Sequence, residues 1–217
     1  METLDELLRQ AEAAHGHLCA GQVLGVRMAM LGCRRLGITE PKGKDRKRLV
    51  TFVEIDRCAT DAIGVVTGCR LGKRALKIRD WGKMAATFID LETSRAIRIA
   101  ARESSKQLAS QLHPEIENKN QQQMAAYREM PDADLFTEQW VSVPLHSREF
   151  PGYKGERVAC SICGESINYD RFLRDGESVV CIPCAHPETR YYQPLTRRPE
   201  TADNTTHHSE TEPTSPS

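Results

Sequence analysis

Four cysteines in the last third of the chain form two knuckles, Cys160-x2-Cys163 and Cys181-x2-Cys184, with seventeen residues between them. Together they supply four thiolates, the number a tetrahedral Zn²⁺ takes in a closed structural site. Gly164 after the first knuckle and Asp175-Gly176 between the two are turn signals. The spacing predicts a structural zinc finger over about 157–190. With so few apolar residues, that segment would draw most of its folding free energy from the metal. The other four cysteines, Cys19, Cys33, Cys58 and Cys69, need a separate account.

His15-Gly16-His17-Leu18-Cys19 puts two imidazoles and a thiol within five residues, where a helical pattern begins. Free N–H groups and the dipole at a helix N-terminus favour a thiolate. Cys19 is therefore a candidate metal ligand or nucleophile, and Gly16 lets the backbone turn between the histidines. A second group, Glu54-x-Asp56-x-Cys58-x2-Asp61, follows a strand pattern and opens a short helix. Cys58 is a candidate to complete a metal site with His17 and Cys19. Asp61 or His15 would move a proton if an open zinc position activated water. Cys58 and Asp61 read equally well as a small buried thiol and a helix cap. Cys19 and Cys58 are 39 residues apart, so only folding could make them a redox pair.

A third group is Gly68-Cys69-Arg70-Leu71-Gly72-Lys73, followed by Asp80-x-Gly82-Lys83. It evokes phosphate binding, yet the Gly-x4-Gly-Lys-Ser/Thr pattern is absent, since Arg74 follows Lys73 and Met84 follows Lys83. That argues against nucleotide hydrolysis. Arg70, Lys73, Arg74, Lys77, Arg79 and Lys83 could face an anion or form a solvated strand face. Cys33 sits amid a helical pattern and reads as packing.

The elements that must position these groups mix helices and strands without strict alternation, which favours an α+β class. Thr3 and Glu6 form a capping-box pattern ahead of Leu4, Leu7 and Leu8. A second helix runs from about Cys19 to Leu36, stopped by Gly37. Residues 40–48 form a loop. Leu49 to Ile55 reads as a buried strand, Asp56 to Gly68 as a turn into a short helix, and Arg74 to Arg79 and Met84 to Leu91 as strands. Thr93 or Ser94 is expected to cap a long amphipathic helix to about Leu112, ended by Pro114. A helix over Asn118 to Glu129 and an extended piece over Leu135 to Val143 follow. These elements make a core over 1–150, a linker over 144–156, a finger over 156–190 and a disordered tail over 195–217. The tail contains His207-His208, read as solvated.

The formal net charge is zero, which gives no global drive toward nucleic acid or membrane. Residues 156–190 hold four Lys+Arg against six Asp+Glu, so the finger lacks the basic footprint of phosphate-backbone binding. No apolar run is long enough to span a bilayer, and the acidic start lacks the pattern of a signal peptide. The expectation is a cytoplasmic protein that binds neither nucleic acid nor membrane.

His15-Gly-His17-x-Cys19-x-Gly21 with Gly25-x-Arg27-Met28-Ala29 resembles the opening motif of the FmdE family. That family is named after one component of molybdenum or tungsten formylmethanofuran dehydrogenase. Cys58-Ala-Thr-Asp61-Ala-Ile63 with Thr67-Gly68-Cys69-x2-Gly72-Lys73 resembles its second motif, and Asp80-x-Gly82-Lys83-x-Ala85 its third. The resemblance covers about residues 10–140, and the four-cysteine segment is similar to the treble-clef finger of longer members. It implies a thioredoxin-like core with a mixed sheet flanked by helices, a homodimer, and a second zinc in a core cleft. Carried over, the ligands would be His17 and Cys19, then Cys58, with His15 and Cys69 in reserve. The family often shows Asn-x-Cys where this chain has Asp56-Arg57-Cys58, which places a carboxylate near the site. The molybdenum or tungsten centre belongs to other components of the dehydrogenase, and no iron–sulfur spacing occurs here. The resulting expectation is a zinc-binding accessory protein of such oxidoreductases, with a stand-alone zinc hydrolase or a thiol-redox protein as alternatives.

Overall fold

The computed structural model describes residues 1–194; the tail expected over 195–217, with His207-His208, lies outside the described residues. The chain forms two compact units, Met1–Gly155 and a second beginning at Glu156.

In the first unit, α1 (Leu4–His15) starts from the capping box, with Glu6 N donating to Thr3 Oγ1 and Thr3 N donating to Glu6 Oε2. Gly16 ends it at φ +94°, a left-handed conformation that suits glycine. Helix α2 (Ala20–Leu36) follows with Cys19 at its N-cap and Gly37 closing it. Strand β1 (Leu49–Val53), α3 (Cys58–Thr67), a 3₁₀ turn at Leu71–Lys73 and β2 (Leu76–Ile78) form a parallel crossover. Then come β3 (Ala85–Asp90), β4 (Ala96–Ala101), α4 (Ser104–Leu112), α5 (Lys119–Glu129), α6 (Asp132–Leu135) and β5 (Phe136–Val141).

The five strands make one mixed sheet in the order β2-β1-β3-β4-β5, parallel only between β1 and β2. Alternation along the strands sorts two faces. Leu49, Val53, Ala86, Phe88, Ile97 and Ile99 point into the main core under the helices. Val50, Phe52, Ile89 and Ala96 point the other way, packed by Leu91, Val141, Val143 and Leu145.

The long helix expected from Thr93 or Ser94 is not there. Residues 96–101 are β4, paired with β3 in a register that sets Ala86 opposite Ile99 and Phe88 opposite Ile97. Ala96-Ile97-Arg98-Ile99 alternates with period two, and its β-branched isoleucines fit a pleated surface. The tight connection is held by Asp90, whose carboxylate accepts from Glu92 N and Thr93 Oγ1, while Ser94 turns at φ +57°. Only Ser104–Leu112 is helical.

One contact fixes the helical layer. A Cβ placed on Gly25 would lie 2.5 Å from the Ala59 carbonyl oxygen and 2.8 Å from its Cα, so α2 lies backbone to backbone on α3. Arg27, two residues on, donates to the carbonyls of Tyr127, Arg128 and Met130 and to Asp132, tying α2 to the C-terminus of α5. On the sheet, Arg48 donates to the fully buried Asp90 at 2.8 and 3.2 Å and to Asp45 at 3.1 Å. Burial pushes the Asp90 carboxyl up, but Arg48, Thr93 and the Glu92 N–H together hold it below its usual value.

The second unit contains β6 (Arg157–Ala159) paired with β7 (Ser166–Asn168), β8 (Phe172–Asp175) paired with β9 (Ser178–Cys181), and α7 (Ile182–Ala185). Among its described residues, the buried apolar ones are Cys160, Ile167 and Val180.

Gly25→Ala should overpack α2 on α3 by about 1–3 kcal/mol, lowering the Tm of the first unit by several degrees. A melt that rises, as helix propensity alone would dictate, would contradict the close approach. A depressed carboxyl contributes stability above its unfolded pKa and loses it as pH falls through the folded value. Asp90→Asn should therefore cost about 2–3 kcal/mol at pH 7, and denaturant titrations should show the gap from wild type closing below about pH 4.

Candidate functional site

Two helix N-termini, those of α2 and α3, meet where the core motif lies. Cys19 caps α2 and Cys58 is the first residue of α3; both are half-buried. The two side chains stand side by side at the paired helix starts. Gly21 lies against both, since a Cβ there would sit 3.5 Å from Cys58 Cβ and 3.8 Å from Cys19 Sγ. Burial and then the Cys19 sulfur push the Cys58 thiol up, so at neutral pH Cys58 keeps its proton.

Beside the thiols, His15 Nδ1 lies 2.8 Å from Asp61 Oδ2. An ionised carboxylate only accepts, so Nδ1 carries the proton and the Nε2 lone pair is left for a proton or a metal. Asp61 thus orients His15, as partners behind a functional imidazole do. The His17 ring is tilted beside that of His15, centroids 4.9 Å apart, and His17 is exposed. Ala20 N, next to Cys19, donates to Asn120 Oδ1 at 3.0 Å. Asn120 stands 101 residues from Cys19 in sequence, and nothing but the Asn118 cap of α5 marks its neighbourhood there. Asp56 is exposed on the loop before α3.

Cys69 lies apart. It follows the C-terminus of α3, about 14 Å along the axis from Cys58 at 1.5 Å per residue. Its buried thiol donates toward the Leu49 carbonyl and accepts from Thr51 Oγ1. Cys33 is fully buried in α2, and burial pushes its thiol up to about 12. Both act as packing.

The donor set of the cleft has the chemistry of a metal site, but its members are not drawn into a cage. Among the described residues, the group of three or more His, Cys, Asp or Glu ligand atoms gathered around one point is Cys160, Cys163, Cys181 and Cys184, all within 4.8 Å of one another. Cys163 Sγ and Cys181 Sγ are 3.9 Å apart. A tetrahedron with Zn–S near 2.3 Å has edges of about 3.8 Å, so the finger fits zinc, and its four protein ligands leave no open position. Backbone N–H groups of Cys163, Cys181 and Ile162 lower the Cys160 thiol to about 6. The Cys181 hydrogen bond and burial raise Cys184 to about 12. Without metal, therefore, the Cys160 thiolate forms readily while Cys163 and Cys184 resist ionising.

A family model described as "FmdE, Molybdenum formylmethanofuran dehydrogenase operon" matches residues 14–137, more than half of the chain. The chain belongs to the FmdE family. A second model, the prokaryotic dksA/traR C4-type zinc finger, matches residues 152–190. In this FmdE protein the first match contains the whole cleft, and the second contains the four cysteines. A protein of Archaeoglobus fulgidus named a probable S-adenosyl-L-methionine-binding protein is 30% identical over 207 residues, covering 84% of this chain. The chain spans about half of that relative's length, 53%. A crystal structure of a tungsten formylmethanofuran dehydrogenase FmdE-like protein from Syntrophus aciditrophicus superposes with a TM-score of 0.59 at 19% identity. The match covers 87% of this chain and 95% of that one. At that identity the likeness speaks for the fold.

Removing zinc with a strong chelator should unfold the second unit and leave the first intact, since three buried apolar residues cannot hold it alone. Limited proteolysis should then cut within 157–190 while residues 1–140 stay protected. Because Cys184 must lose its proton to bind, zinc affinity should fall as pH drops, most steeply once Cys160 also protonates near pH 6. Zinc titrations at about pH 5.5 and 7.5, either side of that value, measure this.

Proposed function

We propose that this FmdE protein is a zinc-binding accessory component of molybdenum- or tungsten-dependent oxidoreductase systems. Its core cleft holds a metal ion or a small ligand, and its finger, of treble-clef type, docks a partner protein. The observation that carries the reading is the meeting of Cys19, Cys58 and the His15–Asp61 pair at two adjoining helix N-termini. Those residues fall within the family match, and the structural relative is named for formylmethanofuran dehydrogenase. A bound metal would take the Cys19 and Cys58 thiolates, with an imidazole from His15 or His17. The Archaeoglobus relative's name makes S-adenosyl-L-methionine the first small ligand to try. We place the protein in the cytoplasm as a homodimer. Among the described residues, no helix is long and apolar enough to cross a membrane.

The placing of Cys19 and Cys58 together against Gly21 favours a second reading, a dithiol couple. Oxidation would join Cys19 Sγ to Cys58 Sγ and release two protons and two electrons to a disulfide oxidant such as oxidised glutathione. Zinc per chain, measured on wild type, Cys19→Ser and Cys58→Ser, separates the readings. About two zincs falling to one in both variants is the outcome expected for a metal in the cleft. About one zinc in all three chains, with a reversible loss of two thiols on oxidation in wild type only, would select the dithiol reading. About one zinc, no disulfide, and S-adenosyl-L-methionine retained in equilibrium dialysis by wild type alone would identify the cleft as a ligand pocket. If neither substitution changes metal content, oxidation, ligand retention or co-purification with oxidoreductase components, the proposal is wrong.

A further inference from the structure

We propose that the FmdE core carries a second site, a pocket for a small molecule bearing two or more phosphate groups, at the end of α3 opposite the thiol cleft. A cavity of about 610 Å³ opens there, between the loop over 41–48 and the loop over 68–75. That volume lies within the range of small-molecule sites. Lys42, Arg46, Lys47, Arg70 and Lys73 line it, and no carboxylate does.

These cations are not the leftovers of a solvated surface. Of the cationic run seen in the sequence, Arg79 pairs with Glu149, Arg74 lies over the Tyr153 ring and Lys83 over the Trp81 ring. Lys42 pairs with Glu2. Arg46, Lys47, Arg70 and Lys73 have no ion pair among the described residues. Four uncompensated positive charges around one concavity repel each other, and a multiply charged anion relieves that repulsion.

Both loops are built rather than slack. Asp45, buried, accepts from the N–H groups of Thr39 and Glu40 and from Arg48, which is itself tied to Asp90, so Arg46 and Lys47 project from a fixed turn. On the other side, the Arg70 carbonyl accepts from the N–H groups of Lys73, Ala75 and Leu76, winding the 3₁₀ turn that carries Arg70 and Lys73. The Cys69 thiol pins this loop to β1. The two loops touch at Gly68: it sits at φ +69°, and a Cβ there would be 3.2 Å from Lys42 Cγ. Pro41, Ala75, Leu91 and Pro151 supply an apolar wall. Phosphates among the cations and a flat organic body on that wall describe a nucleotide-like ligand. This claim does not depend on what the thiol cleft binds, because the two sites lie about 14 Å apart along α3.

The test uses the full chain with its finger zinc-loaded and excess Mg²⁺, so that the phosphates do not strip metal. A fluorescent adenosine triphosphate analogue is titrated, with pyrophosphate and adenosine as competitors. Expected are a Kd below about 1 mM, displacement by pyrophosphate but not adenosine, and at least a tenfold weakening in Arg70→Glu/Lys73→Glu. Lys119→Glu, an exposed cation on α5, should bind as wild type does. Arg46→Ala, on the other loop, should weaken binding by several-fold and serves should the double variant fail to fold. Saturable binding that adenosine displaces as well as pyrophosphate, or that Arg46→Ala and the double variant leave unchanged, would overturn the assignment. So would the absence of binding at millimolar nucleotide, or a single-stranded oligonucleotide that outcompetes the nucleotide at equal phosphate concentration and marks a nucleic-acid surface instead.

Discussion

The backbone contact between Gly25 and Ala59 is the constraint on which the rest of the first unit depends. A helix pair carrying ordinary side chains at its crossing sits about 8–10 Å apart; here glycine lets a carbonyl of α3 take the place of a side chain on α2. The closeness propagates one turn toward the N-termini. There Gly21 faces Cys58, and the two helix starts bring Cys19 and Cys58 to the same glycine across 39 residues of sequence. The same contact sets α3 against the sheet, and Gly32, whose Cβ would strike the Phe88 ring at 2.4 Å, continues the close packing from α2 onto β3. A site made by two helix N-termini needs both axes fixed to within a fraction of an ångström, and backbone-to-backbone contact supplies that more rigidly than interlocked side chains.

The two units are stabilised by different physics. The first buries helices on one face of a five-stranded sheet and closes the sheet's charged positions internally, Arg98 with the buried Glu54 at 2.7 Å and Arg48 with Asp90. The second has a handful of apolar residues and two short hairpins. A segment of that size lies below the length at which a hydrophobic core alone suffices, so its order depends on the sulfur–metal bonds. Its thiols show how: backbone N–H groups prepare Cys160, while Cys163 and Cys184 are raised and resist ionising without an ion.

What the sequence made legible followed from local rules. The capping box at Thr3, the glycine stops at 16, 37 and 68, the buried strand at Leu49 and the cysteine spacing of the finger are all short-range signals, and each appears in the fold. The mismatch over 94–103 is also local: a helical period does not hold across Ala96–Ala101, where β-branched residues alternate and Asp90 builds a hairpin turn. The residues of the cleft are visible one by one in the sequence, but their pairing is not. His15 meets Asp61 across 46 residues, Asn120 reaches Ala20 across 100, and Cys69, held in reserve behind Cys58 as a ligand, is carried to the far end of α3. Contacts of that separation are set by the crossing of helices, which no local pattern encodes.

The separation of the thiol cleft from the cationic pocket has a topological cause. Strands β1 and β2 are parallel, so the chain must cross from the carboxyl end of one to the amino end of the other, and α3 is the return path. Its two connections, 54–57 and 68–75, therefore lie at opposite ends of the strands. The first delivers Cys58 and Asp61 at the carboxyl end of β1. The second delivers Arg70 and Lys73 at the amino end of β2, against the loop that carries Arg46 and Lys47. One crossover unit thus presents a surface carrying thiols, imidazoles and carboxylates and a strongly cationic one, and the length of α3 keeps the fields of the two apart. At about 14 Å, beyond the Debye length of roughly 8 Å at physiological salt, the exposed cations exert little pull on the Cys58 thiol, which is set by its own burial and by Cys19 and Arg57 beside it.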